Sequence, residues 1–360
     1  MNAEGQLLFH AHSTAQTYYQ HEQTKSKIAF WHPVGLAQLA WYNDEALKQN
    51  SFIKNYDLPK NHVKELSAEE LTLLSGISLQ NSGLFFEKSG WLDTHAFSSY
   101  VLNLNGVEFF GDTQALGLKK DRDGTWLLET SKGPMSAENI VICAAYGIQE
   151  LLPELQLPLK LLRGQTTKIV NNTLDSLKCV LCGEGYLSPS FSDTKELHLG
   201  ATYDLGNTDG RYKEEDNLKN LKQLEKWLVD SSTLADNSIV TGGKAGLRTT
   251  SSDYTPIAGP APDMPAMTQD LSDLKHNAKG CRESYGSYLQ GLYVNVGYGS
   301  KGLTFAPVCA DLISAHIKAT PCGQTHTMQK MLSPARFLVR KLKKGLNASN
   351  SRQNIKEQTS

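Results

Sequence analysis

The sequence predicts an α/β protein of two domains, one interrupted by the other. Three observations carry this. Asn139-Ile-Val-Ile-Cys-Ala-Ala-Tyr-Gly147 is almost continuously apolar and ends in glycine, the pattern of a buried parallel strand whose C-terminal end faces a ligand crevice. Residues 160–250 alternate like an antiparallel sheet, with one helical block from Lys213 to Ser231. Gly291 to Lys318 then reads as strand, glycine turn and helix. A chain that leaves an α/β domain and returns to it fits an enzyme with its site at the junction.

Taken in order, residues 1–26 are polar and rich in Gln, His and Thr, with little periodicity. Leu36 to Gln49 has helical spacing. Ser67-Ala-Glu-Glu70 is a capping box opening a short helix to Leu74. Ser82 to Asp93 gives a strand and a turn, and Asp93 caps a helix from Thr94 to Leu104. Val107 to Phe110 reads as a strand. Ala115–Leu118 and Trp126–Thr130 flank Asp121-Arg-Asp-Gly124, a hairpin signal. Within the antiparallel region, strands are expected at Gly164–Val170, Val180–Ser188, Leu197–Tyr203 and Lys244–Thr250. Asp263 to Gly286 reads as polar loop, and Asn347 to Ser360 as a disordered tail.

At 360 residues the chain can bury one large core or two. Its 36 basic and 37 acidic residues nearly cancel, so no global field marks a nucleic-acid or membrane partner. Arg336, Arg340, Lys341, Lys343 and Lys344 are a local exception. No apolar run approaches the roughly 18 residues of a membrane span, and no secretory leader is visible. Cys179 and Cys182 form a C-x-x-C with no second pair, so they read as buried thiols in a strand, in a reducing, cytoplasmic setting. The ten histidines show no metal-ligand spacing, and no metal is expected.

Gly297, Gly299 and Gly302 spell G-x-G-x-x-G between a strand and a helix. Such a turn lets backbone approach a ligand and aims amides at it. A dinucleotide fingerprint also needs an acid about 20 positions later, and Ile317 to Pro321 supplies none. A packed steric turn, or a turn touching another part of a cofactor, are the remaining readings. Arg248, at a strand end in Gly246-Leu-Arg-Thr-Thr-Ser-Ser-Asp253, is either a solvent-exposed or salt-bridged strand end or a two-pronged carboxylate grip. Arg163 is either part of a turn before a strand or a cofactor contact. Tyr186 lies at a sheet edge, as a packing or catalytic residue. Gly147 ends the apolar strand where a cofactor is expected to lie.

The pieces Gly83-Leu-Phe-Phe-Glu-Lys-Ser-Gly-Trp-Leu92, Arg163-Gly-Gln165, Gly185-Tyr-Leu-Ser-Pro189, Gly200-Ala-Thr-Tyr203, Thr208-Asp-Gly-Arg-Tyr212, Gly246-Leu-Arg248 and Gly299-Ser-Lys-Gly-Leu303, in this order, resemble the D-amino-acid-oxidase-like flavoproteins. With Ser333-Pro-Ala-Arg-Phe337 and Arg340-Lys-Leu-Lys343, they are similar to the C-terminal oxidase half of the MnmC family. The resemblance spans about residues 30 to 345. It implies an α/β fold with an FAD/NAD(P)-binding Rossmann-like domain at 80–158 and 251–320, lacking its first βαβ unit and G-x-G-x-x-G turn. It also implies an inserted antiparallel substrate domain at 27–79 and 159–250, and a basic segment at 321–346.

The same resemblance implies FAD as cofactor. The implied reaction is oxidative removal of the carboxymethyl group from a carboxymethylaminomethyl wobble uridine in tRNA, releasing glyoxylate. Arg248 would bind the substrate carboxylate, with Lys301 and Tyr186 at the reacting centre. Arg163, Gly147, Gly297, Gly299, Ser300, Lys301, Gly302 and Leu303 would contact FAD. The implied partners are tRNA, through Arg336, Arg340, Lys341, Lys343 and Lys344, and a methyltransferase domain encoded upstream. A small-molecule glycine or sarcosine oxidase and a non-catalytic remnant are the alternatives.

Overall fold

The computed structural model describes residues 1–56, 62–189, 195–229, 237–277 and 287–345. The chain clusters into two compact units. One comprises Gln16–Phe109 and Leu162–Leu247; the other comprises Asn2–Ala15, Phe110–Leu161 and the chain from Arg248 on.

The first unit is organised on a nine-stranded, mostly antiparallel sheet. Its long strand Leu159–Val170 pairs with Leu197–Gly200, Asp204–Leu205 and Ile239–Ser251. The sheet continues through Tyr186–Ser188, Val180–Cys182, Leu36–Leu39, Gly83–Phe86 and Lys64–Leu66. Leu36–Leu39 pairs in parallel with Val180–Cys182. One core joins Ala37, Leu39, Ile169, Leu181, Leu187 and Leu199 of the sheet to Leu221, Leu224 and Trp227. Leu221 and Leu224 lie on helix Glu214–Glu225, inside the block expected to be helical.

The second unit holds strand Tyr288–Val296, antiparallel to Ile257–Pro262 and parallel to Ile140–Ile142. Helix Gly302–Lys318 follows, burying Phe305, Val308, Cys309, Leu312 and Ile313. The expected hairpin is present as Ala115–Lys120 with Trp126–Thr130. The Trp126 indole donates to the Gln290 carbonyl at 2.9 Å.

Several sequence expectations are met in detail. Helix Ala68–Ser75 has its capping box, Ser67 Oγ accepting from the Glu70 amide and Glu70 from the Ser67 amide. Asp93 caps helix Thr94–Leu102 through the amides of His95 and Ala96. The two thiols expected to be buried in a strand meet this in part: Cys179 is buried but just precedes strand Val180–Cys182, while Cys182 lies in it and is half-buried. Both are free, and burial pushes both thiols up to about 12.

Others are corrected. The N-terminal stretch is a helix, Ala3–Ser26, because Leu7, Ala11, Ala15 and Tyr19 recur every four residues and are all buried. Small alanines in that stripe hid it. Leu36–Leu39 is a strand, held by hydrogen-bonded neighbours on both sides, and helix begins only at Asn43. Val107 to Phe110 forms no strand, and Phe109 is 69% exposed. The apolar run at 139–147 is parallel as expected, but its strand stops at Ile142, and residues 143–146 are exposed. Met264–Asp270 is a helix, its first turn set by the Asp263 cap and Pro265. Residues 278–286 and the tail at 347–360 lie outside the described residues. Residues 80–109, assigned from the sequence to the cofactor domain, cluster with the first unit, because Gly83–Phe86 pairs with Leu36–Leu39 in its sheet.

Candidate active site

Two sequence features with chemical promise meet in the second unit. Gly297 and Gly299 take φ of +79° and +56°, where a Cβ is strained. A Cβ on Gly299 would also stand 3.2 Å from Thr250 Oγ1. The turn is stitched to the end of strand Ile239–Ser251. Thr250 bridges Tyr298, and the Gly299 amide donates to the Thr249 carbonyl at 2.8 Å. Arg248 therefore stands one residue from the turn's anchor.

The Arg248 guanidinium is half-buried and makes no hydrogen bond or ion pair with any described residue. A cation held this way, beside bare glycine backbone, is suited to an anionic ligand. Thr249 is 6% exposed, and its hydroxyl has no partner among the described residues. Lys301 is exposed at the N-cap of helix Gly302–Lys318, its amide donating to the Tyr298 carbonyl at 3.0 Å. Ser300 and Leu303 are exposed and Gly302 is half-buried at the same helix start. The helix supplies partial positive charge there.

Tyr298, which sequence reasoning passed over, points inward. Its hydroxyl donates to Asn295 Oδ1, and burial, with Cys309 alongside, pushes its phenol far above the usual range. Its signal was its place between two glycines.

Other sequence candidates fare differently. Arg163 is 2% exposed, and its donors are engaged internally. Nε donates to the Asp209 carbonyl at 2.7 Å, Nη1 to Asp216 Oδ2 at 2.5 Å, and Nη2 to Gln165 Oε1 at 3.2 Å and the Arg211 carbonyl at 2.7 Å. It ties the first unit's sheet to helix Glu214–Glu225, so its expected cofactor contact is corrected. Tyr186 is half-buried in the same sheet, paired with Cys182 and Gly200. Gly147 has φ of −62° in a short 3-10 turn, and a Cβ there would meet only Ala144 Cβ at 3.7 Å, so nothing in its surroundings demands glycine.

The expected tRNA contact Arg336 is also corrected. It is 6% exposed and grips Asp253 through Nε (3.1 Å to Oδ2) and Nη2 (2.9 Å to Oδ1). Nη1 donates to the carbonyls of Pro256 (3.1 Å) and Leu332 (3.0 Å), and Nη2 also to that of Thr255 (2.8 Å). No donor is left for a phosphate. Arg340, half-exposed, pairs with Asp253 Oδ2 as well. Burial alone would raise the Asp253 carboxyl, but Arg336 and Arg340 hold it well below the usual carboxylate range. Lys341 is half-buried, 3.3 Å from Gln156 Oε1, while Lys343 and Lys344 are exposed.

The FAD dependent oxidoreductase (DAO) family model matches residues 4–316. The bifunctional protein MnmC of tRNA 5-methylaminomethyl-2-thiouridine biosynthesis from Pseudomonas syringae pv. syringae is 31% identical over 320 residues, covering 88% of this chain and 48% of the relative. Its counterpart from Ectopseudomonas mendocina is 32% identical over 323 residues, with the same coverage. The chain thus spans about half the length of the curated relatives it matches. In fold it is similar to glycine oxidase from Geobacillus kaustophilus (TM-score 0.73, 16% identity, covering 93% of this chain and 84% of that one). Iminodiacetate oxidase from Chelativorans sp. BNC1 aligns with TM-score 0.68 and 19% identity, covering 91% and 84%. With most of its length matched by the family model and its architecture shared with these oxidases, the chain belongs to the DAO family of FAD dependent oxidoreductases.

Proposed function

We propose that this chain oxidises a secondary amine bearing a glycine-like carboxylate, the carboxymethylaminomethyl group of a wobble uridine in tRNA. The carrying observation is Arg248: a half-buried guanidinium with no described partner, anchored beside the Gly297–Gly302 turn. The names of the relatives place them in the biosynthesis of a methylaminomethyl uridine, which supports the tRNA substrate.

The residues present fit a flavin at this turn. Gly297 and Gly299 leave bare backbone, the Thr249 hydroxyl is buried without a partner among the described residues, and the helix start is positive. Gly297, Gly299, Ser300, Lys301, Gly302 and Leu303 would hold it, and the unit containing them is the cofactor unit. The nine-stranded unit is then the substrate unit, with Tyr186 on its sheet. Bound FAD supplies the two-electron acceptor. Arg248 fixes the carboxylate with two parallel hydrogen bonds and so orients the carbon between carboxylate and nitrogen. Lys301 adds positive charge without the fork geometry. Overall, the amine loses two electrons and two protons at that C–N bond. Water then adds, and the bond cleaves to an aminomethyl group and glyoxylate.

Lys343 and Lys344 of the C-terminal basic segment are exposed, with no side-chain partner among the described residues, and would meet a phosphate backbone, with Lys341 and Arg340 at its margin. Among the described residues, no helix is long and apolar enough to cross a membrane.

The test is twofold. The purified chain with added FAD should carry a flavin spectrum; a colourless protein defeats the oxidase reading for this chain. It should release glyoxylate from modified tRNA and not from free glycine or sarcosine. Release from the small amines instead would identify a small-molecule oxidase.

A further inference from the structure

The Ser-Pro-Ala-Arg-Phe motif is the sequence feature that the reaction leaves unexplained. Its arginine is buried, so charge display is not its purpose. What it holds is the loop directly after the Arg248 strand. Asp253 accepts from Arg336, Arg340 and the Thr255 amide, and Ser251 Oγ lies 2.9 Å from Asp253 Oδ1. The Ser251 hydroxyl is also 2.7 Å from the Thr255 carbonyl. Two residues before Ser251, Thr249 receives the Gly299 amide, and Thr250 bridges Tyr298. The Ser252 amide reaches the Pro158 carbonyl at 2.9 Å. Hydrogen bonds thus link helix Arg336–Lys343 to Asp253 and Ser251, and two residues of strand backbone carry the link from Ser251 to Thr249 and Thr250, which hold the glycine turn next to Arg248.

We propose that Arg336, gripping Asp253 with its fork and seconded by Arg340, is a positioning residue that sets Arg248 and the Gly297–Gly302 turn in register with each other. This rests on the oxidase reading above for its functional consequence, though not for its structural one. Arg336 touches no substrate. Its planar fork spans both carboxylate oxygens and four carbonyls at once, which an ammonium on a flexible stem cannot do. The stacking of its guanidinium 4.2 Å from the Phe337 ring centre fixes the plane of the fork. Misplacing a positioned group by about 1 Å is enough to cost on the order of a hundredfold in rate or binding.

The experiment compares Arg336→Lys and Arg340→Gln with Leu221→Ala, a core truncation in the other unit, at a temperature where all three are folded. The first arm needs neither cofactor nor substrate: hydrogen exchange at the Gly299 amide. Arg336→Lys should speed it about tenfold, Arg340→Gln less, and Leu221→Ala should leave it unchanged. The second arm is steady-state kinetics on tRNA carrying carboxymethylaminomethyluridine. Arg336→Lys should raise KM about tenfold with a smaller change in kcat. Unchanged exchange in Arg336→Lys, or equal acceleration in Leu221→Ala, overturns the positioning role, as does an unchanged KM in an active Arg336→Lys enzyme. If wild-type chain binds no FAD, the oxidase reading fails while the exchange arm still decides the clamp.

Discussion

Arg163 and Asp216 form an ion pair of 2.5 Å in which both side chains are 2% exposed. Removing Arg163 leaves buried Asp216 with only the exposed Lys219 ammonium, 2.7 Å from its Oδ1, which costs up to about 3–5 kcal/mol, the upper end being a fully stranded charge. Arg163→Leu should lower unfolding free energy by that amount in a urea titration. Its FAD affinity, measured by fluorescence where the variant is folded, should match wild type. A selective loss of FAD would restore Arg163 to the cofactor site.

Arg248 has no described partner to strand, so Arg248→Ala should leave unfolding free energy within about 0.5 kcal/mol of wild type. Charge-assisted hydrogen bonds contribute about 1.5–3 kcal/mol. KM for the carboxylate substrate should therefore rise roughly tenfold to a hundredfold with flavin content spared. Equal loss of flavin would show that Arg248 serves the cofactor instead.

Gly299→Ala places a Cβ at φ of +56° and 3.2 Å from Thr250 Oγ1. The left-handed conformation alone costs about 1–2 kcal/mol. A lower melting temperature together with reduced flavin absorbance is expected. Gly147→Ala, with φ of −62°, should change neither.

Asp253 has a folded pKa below its unfolded value of about 3.9, so its pairs stabilise fully above that pH. The contribution is lost as pH falls below about 4 toward the folded value. Wild type should lose stability steeply there. Asp253→Asn should be less stable at neutral pH, and its deficit should shrink as pH falls from about 4 to 2. A deficit constant across that window would mean that the pairs do not stabilise through charge.

Lys343→Ala and Lys344→Ala should weaken tRNA binding and reduce the slope of log affinity against log salt by about one each. Unchanged slopes would move the tRNA footprint elsewhere.

Local chemistry made much of this legible in advance. Ser67 and Asp93 cap their helices because the partner amides lie two or three residues away. Gly297 to Lys318 is strand end, turn and helix because glycines and apolar spacing act at short range. Charge was the weaker guide. Arg163, Arg336 and Lys343 are alike as cations in the sequence, yet two are buried in ion pairs and one is exposed. That difference depends on carboxylates 53 and 83 positions away, Asp216 and Asp253. The helix at Ala3–Ser26 was missed for a related reason: Ala11 and Ala15 look neutral until a neighbouring surface buries them.

The α/β architecture, the glycine turn and the strand end carrying Arg248 are written in the sequence, since each follows from spacing, turn chemistry and apolar pattern. Which arginine remains available for an anion depends instead on the three-dimensional fold. A guanidinium is free or engaged according to acceptors far away in the chain, and folding brought them to Arg163 and Arg336 while leaving Arg248 without one among the described residues.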